Sequence, residues 1–129
     1  MIQNRYVVVL YLTATCNLNC RYCYIDKSPA LNKIDELIEE SYKGDYYINF
    51  LKEMYPDPKQ LIRMEFWGGE PSYGLPRAEK TVRQALNYYP NLKEFFMSTN
   101  LTTPTFLEDF YGFLKIFKDY PNREFIFDL

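Results

Sequence analysis

Apolar residues fall along this chain in blocks of two kinds. Tyr6–Thr13 is a near-continuous apolar run, the pattern of a strand in a parallel sheet covered on both faces. Over residues 34–55, Ile34, Leu37 and Ile38, then Phe50, Leu51 and Met54, recur at spacings of three and four, which predicts helix. Gly44 is placed to divide it, and Pro56-Asp57-Pro58 stops it. Leu61–Trp67 reads as a second strand, with Ile62, Met64 and Phe66 in alternation, ended by Gly68-Gly69-Glu70-Pro71. A helix is predicted to start near Pro76, carrying Ala78, Val82, Ala85, Leu86 and Tyr89 on one face, until Pro90-Asn91 closes it. Glu94–Met97 is a short third strand running into Ser98-Thr99-Asn100. A third helix follows Thr103-Pro104, with Thr103 as N-cap and Phe106, Phe110, Phe113, Leu114 and Phe117 as its stripe. Pro121-Asn122 then turns the chain into a fourth strand, Glu124–Leu129.

Strand and helix therefore alternate three times before the fourth strand, which predicts an α/β fold with a parallel sheet and right-handed crossovers. In such architectures ligands bind at the carboxyl ends of the strands. Three polar motifs follow strands one, two and three, so a parallel sheet places all of them at one end.

Composition narrows the reading. The chain has 129 residues, enough for one domain, with 47% apolar and 19% aromatic residues, so it is globular. Fifteen basic against 17 acidic side chains give a net charge of -2, without a basic run to attract nucleic acid. The opening Met1–Arg5 has no secretory pattern, and Tyr6–Leu12 falls far short of the ~20 residues of a membrane helix. A cytoplasmic protein, off the membrane, is expected.

The chemistry concentrates in three cysteines, Cys16, Cys20 and Cys23, the only ones in the chain. Their C-x3-C-x2-C spacing lets one short loop turn three thiolates onto one metal centre. Structural zinc is an alternative, but it takes four Cys or His ligands, and the chain has no histidine. Asp26 or a second chain would have to complete such a site. A disulfide leaves one cysteine over, and inert core cysteines do not cluster beside two Asn and an Arg. An iron–sulfur cluster suits three thiolates, and on a four-iron cube it leaves one iron open. Electron carriers normally use four cysteines, which weighs against a non-catalytic iron–sulfur module or a degenerate fragment.

Two glycines out of five stand side by side at the end of the second strand, Gly68 and Gly69, where backbone without Cβ can approach a ligand. An ordinary turn is the plain alternative. Glu70 either binds a cation, hydrogen-bonds the loop or faces solvent. Trp67, the single tryptophan, is expected to pack beneath the motif. Ser98 and Asn100 offer hydrogen bonds after the third strand, or form a polar turn. Tyr88, Tyr89 and the other tyrosines read as core and surface aromatics.

The cysteine motif, with Tyr22 just before its last cysteine, resembles the signature of the radical S-adenosylmethionine (radical SAM) enzymes. Gly68-Gly69-Glu70-Pro71 looks like that family's Gly-Gly-Glu motif, and Ser98-Thr99-Asn100 is a looser match, with Leu101 where family members often have Gly. The resemblance implies a [4Fe–4S] cluster on Cys16, Cys20 and Cys23. It implies S-adenosylmethionine bound at the open iron and contacted by Tyr22, Gly68, Gly69, Glu70, Ser98 and Asn100. It further implies reductive cleavage to a 5′-deoxyadenosyl radical that abstracts hydrogen, with electrons from a flavodoxin- or ferredoxin-type donor. No residue is singled out as catalytic. The fold implied is a partial TIM-type (β/α)6 barrel, of which residues 1–129 supply about four strands and three helical regions. They are expected to be the N-terminal portion of the core domain. Leu10–Tyr24 and Phe66–Pro71 look most like members that mature peptides or sulfatases and carry a further cysteine-rich (SPASM-type) domain.

Overall fold

The structure, a computed structural model, describes residues 6–13, 30–100 and 106–128. Four strands, β1 (Tyr6–Thr13), β2 (Leu61–Gly68), β3 (Glu94–Ser98) and β4 (Glu124–Asp128), form one sheet in the order β1-β2-β3-β4. Every neighbouring pair is parallel. The crossovers carry α1 (Ala30–Lys43) and α2 (Tyr46–Met54), then a 3₁₀ turn (Pro71–Gly74) leading into α3 (Leu75–Tyr88), and finally α4 (Phe106–Leu114) and α5 (Ile116–Asp119). The α/β alternation expected from the apolar pattern is present, with α1 and α2 separated at Gly44. The predicted cap at Thr103 lies outside the described residues.

One face of the sheet holds the core. Val8, Leu10 and Leu12 of β1, Met64 and Phe66 of β2, and Phe95 and Met97 of β3 are buried with Tyr42, Ile48, Leu51, Ala78, Val82, Ala85, Phe113 and Ile116 of the helices. Phe66 stacks on Phe95 at 6.2 Å and meets Phe113 edge-on at 5.5 Å. The α3 stripe is buried as its spacing requires, and Tyr89 is core.

The expectation that β1 is covered on both faces is not met: Val7 and Val9 are half-exposed. Consecutive parallel strands joined by right-handed crossovers put every helix on the same side, which leaves the other face open among the described residues. The apolar stripe predicted for residues 34–55 also needs correction. Ile34, Leu37, Phe50 and Met54 are exposed, because α1 turns Asp35, Ile38 and Tyr42 inward, one position round, and α2 turns Ile48 and Leu51. No helix among the described residues is long and apolar enough to cross a membrane.

Candidate functional site

The carboxyl end of β1 is held from several sides. Tyr11 pairs with Trp67 and Thr13 with Gly68, so Leu12 is an extra residue, a local bulge. Gly69 N–H donates to the Thr13 carbonyl at 3.0 Å. Gly68 has φ +153°, and a Cβ there would lie 2.4 Å from that same carbonyl oxygen. Gly74, in the 3₁₀ turn, presses on Leu12 so closely that a Cβ would sit 2.5 Å from the leucine's own. Glycine at these two positions is thus required by close approach of backbone to backbone.

Glu70 is 2% exposed and caps the 3₁₀ turn. Its Oε1 accepts from Ser72 N–H at 3.3 Å, from Ser72 Oγ at 2.8 Å and from Thr99 Oγ1. Its Oε2 accepts from Asn100 N–H at 2.8 Å. Of the three readings of Glu70, the loop hydrogen bond is the one realised within the protein. A carboxylate is expensive to bury unless such donors replace water, and each bond to a charged group contributes about 1.5–3 kcal/mol.

Between the loops joined by Glu70 lies a cavity of about 330 Å³, lined by Phe66, Trp67, Gly68, Gly69, Pro71, Phe96, Ser98 and Asp128. It sits at the carboxyl ends of β2, β3 and β4, where parallel α/β folds bind ligands, and its volume is in the range of small-molecule sites. The open face below it is layered. Val7, Arg63, Glu94 and Glu124 form one row, and Val9, Glu65, Phe96 and Ile126 the next. Tyr11 beside Trp67 and Ser98 beside Asp128 make the row under the cavity mouth. Arg63 is 3.5 Å from Glu65 and 3.6 Å from Glu94, with its guanidinium 4.8 Å from the Phe96 ring centre.

The radical SAM superfamily profile matches residues 10–129, nearly the whole chain. The chain belongs to the radical SAM superfamily. The uncharacterized protein MJ0907 of Methanocaldococcus jannaschii is 29% identical over 103 residues, which are 79% of this chain and 32% of that protein. The chain thus spans about a third of the length of the curated relative it matches. No solved structure matches it significantly.

Radical SAM proteins generally bind a [4Fe–4S] cluster and S-adenosylmethionine. Among the described residues no group of three or more His, Cys, Asp or Glu side chains is placed to hold a metal ion. Cys16, Cys20, Cys23 and Tyr22 lie outside the described residues. The chemistry of three thiolates suits the cluster, and the cavity with its Cβ-free Gly68-Gly69 wall suits a small ligand.

Gly68, Gly69 and Ser98 are brought together as cavity lining, whereas Glu70 and Asn100 lie behind them and make the bond between the two loops. Trp67 differs from expectation. It is 47% exposed and forms part of the cavity wall, because it shares the parity of Glu65 and not that of the buried Met64 and Phe66. The sequence reading missed Phe96 and Asp128. Counting back by two from Ser98 gives Phe96, but only the β3–β4 register brings Asp128 to Ser98.

Proposed function

We propose that this chain is the N-terminal portion of a radical SAM core domain. Cys16, Cys20 and Cys23 bind a [4Fe–4S] cluster, and Gly68, Gly69, Glu70, Ser98 and Asn100, with Tyr22, bind S-adenosylmethionine, Glu70 and Asn100 by shaping the two loops. When bound, the cluster would supply one electron to break a C–S bond of S-adenosylmethionine, giving methionine and the 5′-deoxyadenosyl radical used for hydrogen abstraction. The backbone of Gly68-Gly69 lets the cofactor approach the sheet, and Trp67 and Phe96 exclude water from its apolar parts. The observation that carries this reading is the cavity between the loops that Glu70 joins, on the same sheet end as the chain's exit toward the cysteines.

The acceptor is a peptide or protein, as in the maturases that Leu10–Tyr24 and Phe66–Pro71 resemble, including those of the SPASM-type subgroup. The electron donor is a flavodoxin or ferredoxin, and the compartment is the cytoplasm, where thiols stay reduced. Anaerobic reconstitution with iron and sulfide, followed by electron paramagnetic resonance with and without S-adenosylmethionine, tests the proposal. A cluster signal that shifts on adding the cofactor is expected. Zinc without iron, or a signal indifferent to the cofactor, overturns it.

A further inference from the structure

The segment between β1 and α1 carries all three cysteines, and its two stems are joined by polar contacts. Thr13, the last residue of β1, is fully buried, and its Oγ1 donates to Asp35 Oδ1 at 2.5 Å. Asp35 lies early in α1, on the other side of the cysteine segment. Arg77 of α3 grips Asp35 with both arms, Nη1 to Oδ1 at 3.0 Å and Nη2 to Oδ2 at 2.8 Å. The same Nη1 donates to the Leu12 carbonyl at 3.2 Å, at the bulge that ends β1. Two turns further along α1, Tyr42 Oη donates to the Tyr11 carbonyl at 3.0 Å.

The Asp35 and Arg77 side chains are only 17% and 19% exposed. Among the described residues, pairs such as Lys43–Glu40 and Lys80–Asp45 are far more solvated. A half-buried ion pair adds little to packing that apolar side chains would not supply, but its fork-to-carboxylate geometry fixes position. Here the positions fixed are the departure of the chain from β1 and its return in α1. Stems held together reduce the entropy lost when the intervening residues gather their thiolates on a metal.

We propose that Thr13, Asp35 and Arg77 form a clasp on the stems of the cysteine segment, and that Asp35 and Arg77 are positioning residues for its metal site. The clasp rests on the assignment of the cysteines to an iron–sulfur cluster. It acts by keeping the segment's ends in register, so losing it lets bound iron escape while the sheet and helices persist.

The test compares the full chain with Asp35→Asn, Arg77→Lys and Arg77→Leu after anaerobic reconstitution. Iron and sulfide per chain are measured, then the rate at which a chelator bleaches the visible absorption. Iron-free samples are checked by far-ultraviolet circular dichroism. The variants are expected to keep the parent spectrum yet lose iron about 10-fold faster, the low end of what losing support for a metal site costs, with Arg77→Lys between parent and Arg77→Leu. Bleaching at the parent rate overturns the clasp. Loss of the folded spectrum in the near-isosteric Asp35→Asn overturns it too, in favour of a general packing role. A parent chain that takes up no iron refutes the cluster assignment itself, and the clasp with it.

Discussion

Glu70 Oε2 accepts the backbone N–H of Asn100 at 2.8 Å, joining the loop after β2 to the loop after β3. With Oε1 engaged by Ser72 and Thr99, one buried carboxylate fixes the spacing of two cavity walls. Truncation by Glu70→Ala strands these donors without water, and a loss of about 3 kcal/mol is expected from urea unfolding of the iron-free chain. Glu70→Gln keeps one acceptor and turns an amide N–H₂ toward Asn100, so it loses less. Unchanged stability in both variants means that Glu70 does not hold the loops.

Gly68→Ala and Gly112→Ala are expected to move stability in opposite directions. A Cβ at position 68 lies 2.4 Å from the Thr13 carbonyl oxygen on a positive-φ backbone, so strand pairing must shift, at a cost of about 1–3 kcal/mol. Position 112 lies inside α4 with nothing within 4 Å of an added Cβ, and alanine there stabilises by about 0.5–1 kcal/mol. Paired thermal melts decide the matter.

Trp67 is the chain's single tryptophan and forms part of the cavity wall. Its emission is expected to shift and lose intensity when S-adenosylmethionine is titrated into the reconstituted protein. A double variant with Trp67→Phe and a tryptophan installed at exposed Tyr111 gives no such response if the cavity is the site. Equal responses from both proteins point to binding elsewhere.

Alkaline pH should destabilise the chain. Burial pushes the Tyr89 phenol up to about 12, and its Oη donates to the Tyr55 carbonyl at 2.9 Å. Burial also raises Tyr42. The folded state therefore holds these protons more tightly than the unfolded state, whose tyrosines titrate near 10. Their contribution is complete below pH ~10 and drains away as pH rises toward 12. Urea midpoints measured from pH 8 upward are expected to be flat and then fall, with Tyr89→Phe flattening the decline.

The order of strands and helices was legible because its signals are local. Apolar runs mark Tyr6–Thr13, and Pro56, Pro58, Pro90 and Pro121 punctuate the rest. Gly68-Gly69 announced itself by the rarity of glycine. Trp67 was misread because alternation separates the two sides of a strand without saying which side the helices occupy. Ile34 and Leu37 misled for a related reason: an apolar side chain one position off the buried stripe keeps helical spacing. Asp35 and Arg77 gave no signal at all. They stand 42 residues apart, and a single charge on a predicted helix looks like any solvated charge until the fold brings its partner.

With every described helix on one side, the sheet has a back and a hollow. Durability resides on the back, in stacked rings and aliphatic knobs. The proposed function puts ligand recognition on the other side, at the upper rungs of the hollow, where Trp67, Phe96, Ser98 and Asp128 line the cavity. The two can be redesigned almost independently, by repainting rungs without touching the back. The exceptions are Gly68 and Glu70, hinge pins shared by both, where any edit for selectivity also weakens the frame.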